Sequence, residues 1–472
     1  MKLTREQMRE IGYRTVDRLI DHFDTLPSQS TGRKPPPAEL YPTLKMPFAE
    51  NGMPFDEAMQ ILERDVFANR MNLSHPRFFA FVPSPSNFVS AMADALASGL
   101  NVFSGSWISG AGPAALEMTV VDWLAGQCGF PDSTEGLCVS GGSMANLTAL
   151  AVARYAKLRN RIPGAVAYYS DQTHSSLIRA FHVLGFGEDQ LRSVPCDSEF
   201  RISLSELTKS IEADRAAGLR PFCIVANAGT TSTGAVDPFV ELAAISRKYD
   251  LWLHADGAYG AAAMLCGRGQ RALHGLELCD SLSVDPHKWL FQPFELGCVL
   301  VKNGRLLKRT FQINPDYLRD VHRHEEEINF CDRGVQLTRG FRALKLWLSL
   351  RVFGVAEFRK AVERGFELAD LAETELRKSG DWEIVTPSQM AMVSFRHVRP
   401  IDHAQVVEFM LKEGFAFLSS TVLNGRGALR LCTINPNTTD DDIVQTVRHL
   451  CRAVSDLELL SARTGQVQRD GW

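Results

Sequence analysis

No CxxC pair occurs among the ten cysteines of this 472-residue chain, which removes the usual zinc and dithiol readings. The cysteines are scattered. Cys138, Cys223 and Cys298 lie inside apolar runs and read as small core residues. Such usage fits a reducing, cytoplasmic setting, and no metal site is expected. No stretch approaches the roughly 18 uninterrupted apolar residues of a membrane span. The start, Met1-Lys2-Leu3-Thr4-Arg5-Glu6-Gln7, has no apolar h-region, so no signal peptide is expected. Neither sign of charge dominates: 51 Lys and Arg stand against 55 Asp and Glu, for a net charge of −4. Neither a nucleic-acid partner nor a membrane surface is therefore expected.

What is present suits a large catalytic domain with appendages. Thr4 and Gln7 have the spacing of a capping box, and Met8, Ile11, Val16, Leu19, Ile20 and Phe23 form a helical stripe. Such a stripe must dock on its own domain or on a partner chain. Seven prolines between residues 27 and 54 predict an extended connection. A second helix is expected from Asp56 to about Asn69. Three phenylalanines, Phe78, Phe79 and Phe81, read as core, with a pocket wall as the alternative. Residues 105–113 read as a turn, and a long helix is expected from Ala114.

The central third alternates strand and helix. Strands are expected at Leu137–Val139, Val166–Ser170, Phe222–Asn227, Leu251–Ala255 and Ser281–Val284. This spacing argues for a mostly parallel sheet buried on both faces. Ligands of such sheets sit beyond the carboxyl ends of the strands. The residues there are Ser140 to Ser143, His174, Gly229-Thr230-Thr231, Asp256 and His287-Lys288. Ser140-Gly141-Gly142-Ser143 opens an Ala- and Leu-rich helix, whose first N–H groups favour a phosphate. It lacks the lysine of a P-loop and the third glycine of a dinucleotide fingerprint. A lysine at a buried strand's end is costly unless paired, neutralised or used covalently.

One chemistry needs the whole set. Pyridoxal 5'-phosphate (PLP) requires a lysine for its aldehyde, a carboxylate for its pyridine nitrogen, a helix N-terminus for its phosphate and a flat group against its ring. Lys288, Asp256, Ser140 to Ser143 and His174 supply one of each.

The chain resembles the group II PLP-dependent decarboxylases, most of all the aromatic-L-amino-acid decarboxylases. The carriers are His75-Pro76-Arg77-Phe78-Phe79, Ser140-Gly141-Gly142-Ser143, Ser170-Asp171-Gln172-Thr173-His174-Ser175-Ser176, Gly229-Thr230-Thr231, His254-Ala255-Asp256-Gly257-Ala258-Tyr259 and Pro286-His287-Lys288-Trp289. The resemblance implies an α/β fold of the aspartate aminotransferase type (fold type I) and a homodimer with shared active sites. It implies Lys288 as the Schiff-base lysine, Asp256 at the pyridine nitrogen, and Ala258 and His174 against the two ring faces. It further implies Gly142, Ser143 and His287 near the phosphate and Thr231 near the substrate carboxylate or ring hydroxyl. The implied reaction is decarboxylation of an aromatic L-amino acid to the amine. A transaminase would share the fold but usually needs an arginine clamp for the α-carboxylate.

The chain departs from that family in places. The family's mobile loop carries a tyrosine that protonates the carbanion. Counting back from Arg339-Gly340-Phe341-Arg342 puts Phe330 at that position, and no tyrosine lies between Leu318 and Val335. In plant relatives this exchange accompanies an oxygen-dependent reaction giving an aldehyde, ammonia and peroxide, so an aromatic aldehyde synthase is the alternative. Otherwise His322 or His324 supplies the proton. Asp285 replaces an asparagine of the animal enzymes and is given no phosphate role, because an anion there repels phosphate. Thr338 lies near a position that sorts substrates in plant relatives. Phe81, Phe103 and Trp107 are expected to form an apolar substrate pocket, with extra room at Gly105.

Past Leu344–Phe353 and Val355–Lys378, both read as helices, the periodicity changes to an α+β appendage with an antiparallel sheet. Its strands are expected at Trp382–Val385, Met392–Arg396, Phe415–Ser419 and Ala428–Cys432. The expected divisions are a docking segment (1–75), a large PLP-binding domain (76–355) and a small C-terminal α+β domain (356–472).

Overall fold

A computed structural model describes residues 2–313, 324 and 326–467. His322, much of the loop read from the sequence and the last five residues of the polar tail lie outside the described residues.

The N-terminal part contains α1 (Arg5–Thr25), α2 (Pro37–Leu44) and α3 (Phe55–Ile61). The expected capping box opens α1: Thr4 and Gln7 each accept from the other's backbone N–H. The connection expected to be extended contains α2, because Pro37 at the first helical position is preset for a helix.

Next come α4 (Phe88–Gly99) and α5 (Trp107–Gln127). The expected turn at 105–113 is the first part of α5, which kinks at Gly110 three residues before Pro113. The sheet region follows as β1 (Glu135–Val139), α6 (Gly142–Leu158), β2 (Ala165–Ser170), α7 (Ser175–Val183), β3 (Leu191–Val194), α8 (Leu204–Ala216) and β4 (Arg220–Asn227). It continues with α9 (Phe239–Tyr249), β5 (Trp252–Asp256), α10 (Gly267–Ala272), β6 (Ser281–Val284), β7 (Gly297–Val301), α11 (Arg305–Phe311) and α12 (Ala343–Phe353). The C-terminal part is α13 (Val355–Ser379), β8 (Trp382–Gln389), β9 (Met392–His397), α14 (His403–Glu413), β10 (Ser419–Leu423), β11 (Arg426–Cys432) and α15 (Asp440–Val467).

The chain forms two compact units. One comprises Met1–Pro83, Leu368–Pro387 and Val393–Trp472; the other comprises Ser84–Glu367 and Ser388–Met392. The sequence-based divisions fell at 75 and 355. In the structure the units change over after Pro83 and after Glu367, and the N-terminal segment shares a unit with most of the C-terminal part.

The larger unit holds a seven-stranded sheet in the order β1-β7-β6-β5-β4-β2-β3. Every pairing is parallel except the two made by β7. The mostly parallel sheet is thus observed, with one reversed strand between β1 and β6. Because β7 runs backwards, β1 and β6 run the same way, and their carboxyl ends share one edge with β4 and β5. Strands β6 and β7 are buried along their whole length, as a sheet covered on both faces requires.

The smaller unit holds a four-stranded sheet, order β10-β11-β9-β8. Val393 and Phe395 of β9 and Leu429 and Leu431 of β11 pack in one cluster with Leu368, Ala372 and Leu376 of α13 and Ile443, Val447 and Leu450 of α15. The helical residues recur every three or four positions, giving one apolar stripe per helix. Phe78 and Phe79 are buried, as the core reading expects, whereas Phe81 is 55% exposed. No residue of α1 is buried.

Candidate active site

Register brings the polar strand ends together. Asp256, the last residue of β5, lies opposite Asn227 of β4 and Ser283 of β6. Asp256 Oδ1 accepts from Ser283 Oγ (3.0 Å) and the Ala258 N–H (3.1 Å), and Oδ2 accepts from Asn146 Nδ2 (3.2 Å). Three donors from three segments fix the plane of this carboxylate. Asn146, on the second turn of α6, extends the network inward. Its Oδ1 lies 3.0 Å from His254 Nε2, and His254 Nδ1 lies 2.9 Å from Ser281 Oγ, which accepts from Trp252 Nε1. Burial pushes the His254 imidazole well below its ordinary range. A neutral ring donating from Nε2 and accepting at Nδ1 satisfies every partner.

The turn between β1 and α6 forms the facing wall. Gly142 has no room for a side chain: a Cβ there would lie 2.8 Å from Ala258 Cβ and 2.9 Å from Asp285 Oδ2. Gly297, on β7, is just as confined, since its Cβ would lie 2.5 Å from Gly141 Cα. The N–H groups of Gly142 and Ser143, at the start of the helix, have no intrahelical acceptor and lie where an anion is stabilised, while the Met144 N–H already bonds to the Gly141 carbonyl.

His174 is the N-cap of α7, and its Nδ1 accepts the Ser176 N–H at 3.3 Å. The neutral ring therefore carries its proton on Nε2. Burial lowers the His174 pKa, and among the nearby charges Asp256 opposes that shift while Lys288 adds to it. His287 behaves alike: Nδ1 accepts the Leu296 N–H (3.2 Å), and burial lowers its pKa. Lys288 Nζ lies 3.2 Å from Asp285 Oδ2. Asp285 is 2% exposed, and its Oδ1 has no hydrogen-bond partner within the described structure.

These groups line one cavity of about 330 Å³. It collects Gly142, Ser143, His174, Thr231, Asp256, Ala258, His287 and Lys288, all expected from the sequence. It also takes in Asn146, Asn227, Asp285 and Glu295, which the sequence reading left without a role. Asp285 was legible in principle, because an acid three residues before a lysine in a tight turn is within reach of it. Among the described residues no cluster of ligating side chains could hold a metal.

Four expected residues do not line the cavity. Phe81 belongs to the other unit and packs edge-on against Phe417 there. Phe103 pairs through its backbone with Gly340, and its ring already fills the space beside Gly105, so the extra room expected there is absent. The Trp107 N–H is bonded to Asn329 Oδ1 (2.9 Å), and the indole packs against the core. Phe330 is 2% exposed, lies within that core, and has the Arg339 guanidinium 4.9 Å from its ring centre. An apolar ring gains more from that contact than from water. Thr338 is exposed and likewise does not line the cavity.

The donor set suits a phosphorylated aromatic aldehyde. A glycine cradle at a helix N-terminus faces the phosphate, a carboxylate held by three donors faces a ring nitrogen, and an amine is within the same 330 Å³. Comparisons with known proteins agree. The pyridoxal-dependent decarboxylase conserved domain matches residues 37–398. An aromatic-L-amino-acid decarboxylase of Bacillus atrophaeus is 48% identical over 94% of this chain and 95% of its own. A phenylacetaldehyde synthase of Petunia hybrida is 30% identical over 92% of this chain and 91% of its own. The structure of Oryza sativa TDC with PLP and tryptamine superposes with a TM-score of 0.92 at 27% identity, covering 97% of this chain and 99% of that one.

Proposed function

Since this chain belongs to the pyridoxal-dependent decarboxylases, we propose that its cavity removes the α-carboxyl group of an aromatic L-amino acid, giving the amine and CO₂. The enzyme is a PLP-dependent carboxy-lyase whose substrate is a small molecule, an amino acid. The aromatic substrate class rests on relatives named as aromatic-L-amino-acid and tryptophan decarboxylases. One observation carries the reading: Lys288, Asp256 and the Ser140–Ser143 turn line a single cavity at the carboxyl edge of the sheet.

When bound, PLP supplies an aldehyde that condenses with an amine and a ring that takes up the electron pair left by CO₂. Lys288 would supply the amine that holds the aldehyde. Asp256, its plane fixed by Ser283, Ala258 and Asn146, keeps a proton on the ring nitrogen. Gly142, Ser143 and His287 would hold the phosphate, and Ala258 would bound the ring's side of the cavity. His174 presents an Nε2–H to the cavity, which places a proton donor on one face. Thr231 binds the substrate carboxylate or the ring hydroxyl. Asp285 holds the Lys288 ammonium in the cavity before the cofactor arrives.

A second reading rests on the stretch from Leu318 to Val335, which holds no tyrosine. Without a proton-donating tyrosine there, the product becomes an aldehyde, with ammonia, peroxide and CO₂. Phenylacetaldehyde synthases stand among the more distant relatives. Incubation with phenylalanine, tyrosine, DOPA and tryptophan, with and without oxygen, decides between them. Amine equal to CO₂ with no peroxide supports the decarboxylase, whereas peroxide formed in step with CO₂ overturns it.

The working unit is a homodimer with shared sites. The apolar residues Met8 and Ile20 of α1 are 55% and 47% exposed, as a helix awaiting a second chain would be. A monomeric mass by light scattering would refute this. A cytoplasmic setting is supported by ten free thiols, eight of them buried. No helix among the described residues is long and apolar enough to cross a membrane.

A further inference from the structure

We propose that the smaller unit carries a second, separate binding site that takes a small organic phosphomonoester between Arg396 and Arg426. A cavity of about 490 Å³ lies at the carboxyl end of β9, bounded by the loop into α14 and by the β10–β11 hairpin. That volume suits a small-molecule ligand.

Alternation along the strands explains the charge. Val393, Phe395, Leu429 and Leu431 pack in the apolar cluster, so Arg396 and Arg426, on the neighbouring strands β9 and β11, sit on the other face. Arg396 is 5% exposed, and its Nε has no hydrogen-bond partner. Among the described residues it makes no ion pair; the charge of Glu383 favours its cation, while that of Arg426 opposes it. Two guanidiniums of like charge, one of them buried, line the same cavity, and among the described residues neither has a carboxylate within ion-pair distance. Such an arrangement is costly unless an anion completes it.

The other charged and imidazole groups of the wall already have partners. Arg399 pairs with Glu458 at 2.6 Å. The wall's carboxylate, Asp402, caps α14 by accepting the Ala404 N–H at 2.9 Å. His403 Nε2 accepts the His397 N–H, and His397 Nδ1 accepts the Arg399 N–H, so both imidazoles act as acceptors. Two free guanidiniums match the double charge of a phosphomonoester, and arginine forks fit its oxygens. Val398, Ile401 and Val422 offer apolar surface to the organic part.

The test is calorimetric titration of the holoenzyme, with its cofactor site filled and excess cofactor removed, at constant ionic strength. Phenyl phosphate, inorganic phosphate and succinate are the probes. One phenyl phosphate per chain is expected, bound more tightly than inorganic phosphate or succinate. Arg426→Gln, at an exposed position, and Arg396→Gln are each expected to weaken it by about tenfold or more. Arg399→Gln is expected to change it by less than about threefold. Arg396→Met is also expected to raise the thermal midpoint of the ligand-free protein, which a merely structural arginine would not do. No binding to the wild-type holoenzyme, equal binding by Arg426→Gln, or tighter binding of succinate overturns the proposal.

Discussion

Replacing Glu117 by Gln tests how the phosphate turn is held. Glu117 of α5 and Arg339 are 0% and 2% exposed and form a buried ion pair. The Arg339 guanidinium also donates to the carbonyls of Ser104 (2.9 Å) and Cys138 (2.7 Å), while Glu117 Oε1 accepts the Cys138 N–H (2.8 Å). Cys138 lies on β1, two residues before Ser140. The pair therefore clamps both backbone groups of the strand that leads into the glycine turn. Glu117→Gln keeps the shape and removes one charge, leaving the guanidinium buried and unneutralised, at a cost of about 3–5 kcal/mol. That is a large part of an ordinary domain's stability of about 5–15 kcal/mol and corresponds to a drop on the order of 10 °C in the first thermal transition. In the double variant Glu117→Leu/Arg339→Met no charge is left, but the Cys138 N–H and two carbonyls lose partners at about 1–3 kcal/mol each. The double variant is thus still destabilised, yet by about 2 kcal/mol less than the sum of the two single variants. Calorimetric melting with urea titration reads both quantities. Loss of bound cofactor on dialysis, followed by its visible absorbance, reads the effect on the turn. A Glu117→Gln protein within about 0.5 kcal/mol of wild type would refute the reasoning.

Further outcomes follow from the cavity and the core. Lys288→Ala should abolish CO₂ release, and borohydride should fix cofactor to the wild-type chain but not to this variant, as mass spectrometry of the peptide would read. Asp285→Asn removes an anion next to the glycine turn and should tighten cofactor retention, measured as the dissociation constant from fluorescence; unchanged or weaker retention would contradict the placement of Asp285. Phe330→Tyr puts a hydroxyl into a dry core and should cost about 1–3 kcal/mol without changing the amine-to-aldehyde ratio; a stable variant with an altered ratio would show that the ring faces the chemistry. Burial lowers the His75 pKa to about 4 and that of His254 in the same direction, below the ordinary 6.5. The folded state then binds fewer protons than the unfolded one, so stability is full above pH 6.5 and falls as the pH drops toward 4. Urea midpoints between pH 7 and pH 4 should decline accordingly.

Local chemistry made much of this legible. Strand, glycine turn and helix around Ser140–Ser143, and polar residues at the ends of β4, β5 and β6, follow from short-range patterns that burial on both faces enforces. Strand β3 was missed because three of its four residues are only partly buried or exposed, so it carries no apolar run. Strand β10 was expected at Phe415–Ser419 but lies at Ser419–Leu423. The apolar stretch before it is instead an extended approach, where Phe79 N–H donates to the Phe417 carbonyl at 2.7 Å. Asn146 was not legible because its role depends on which segments meet: it joins α6 to Asp256 of β5. Phe81, Phe103 and Trp107, expected in a substrate pocket, do not line the cavity of the single chain.

The single reversed strand sets a limit on change. Gly297 of β7 abuts the backbone of Gly141, so two connections far apart in the chain share one small volume. Lengthening either, or adding so much as a methyl group at 297, would push the anion cradle away from the lysine. Diversification of substrate range within such a scaffold is thereby steered to segments outside this contact, and a designer seeking a new side-chain preference would leave these two connections untouched.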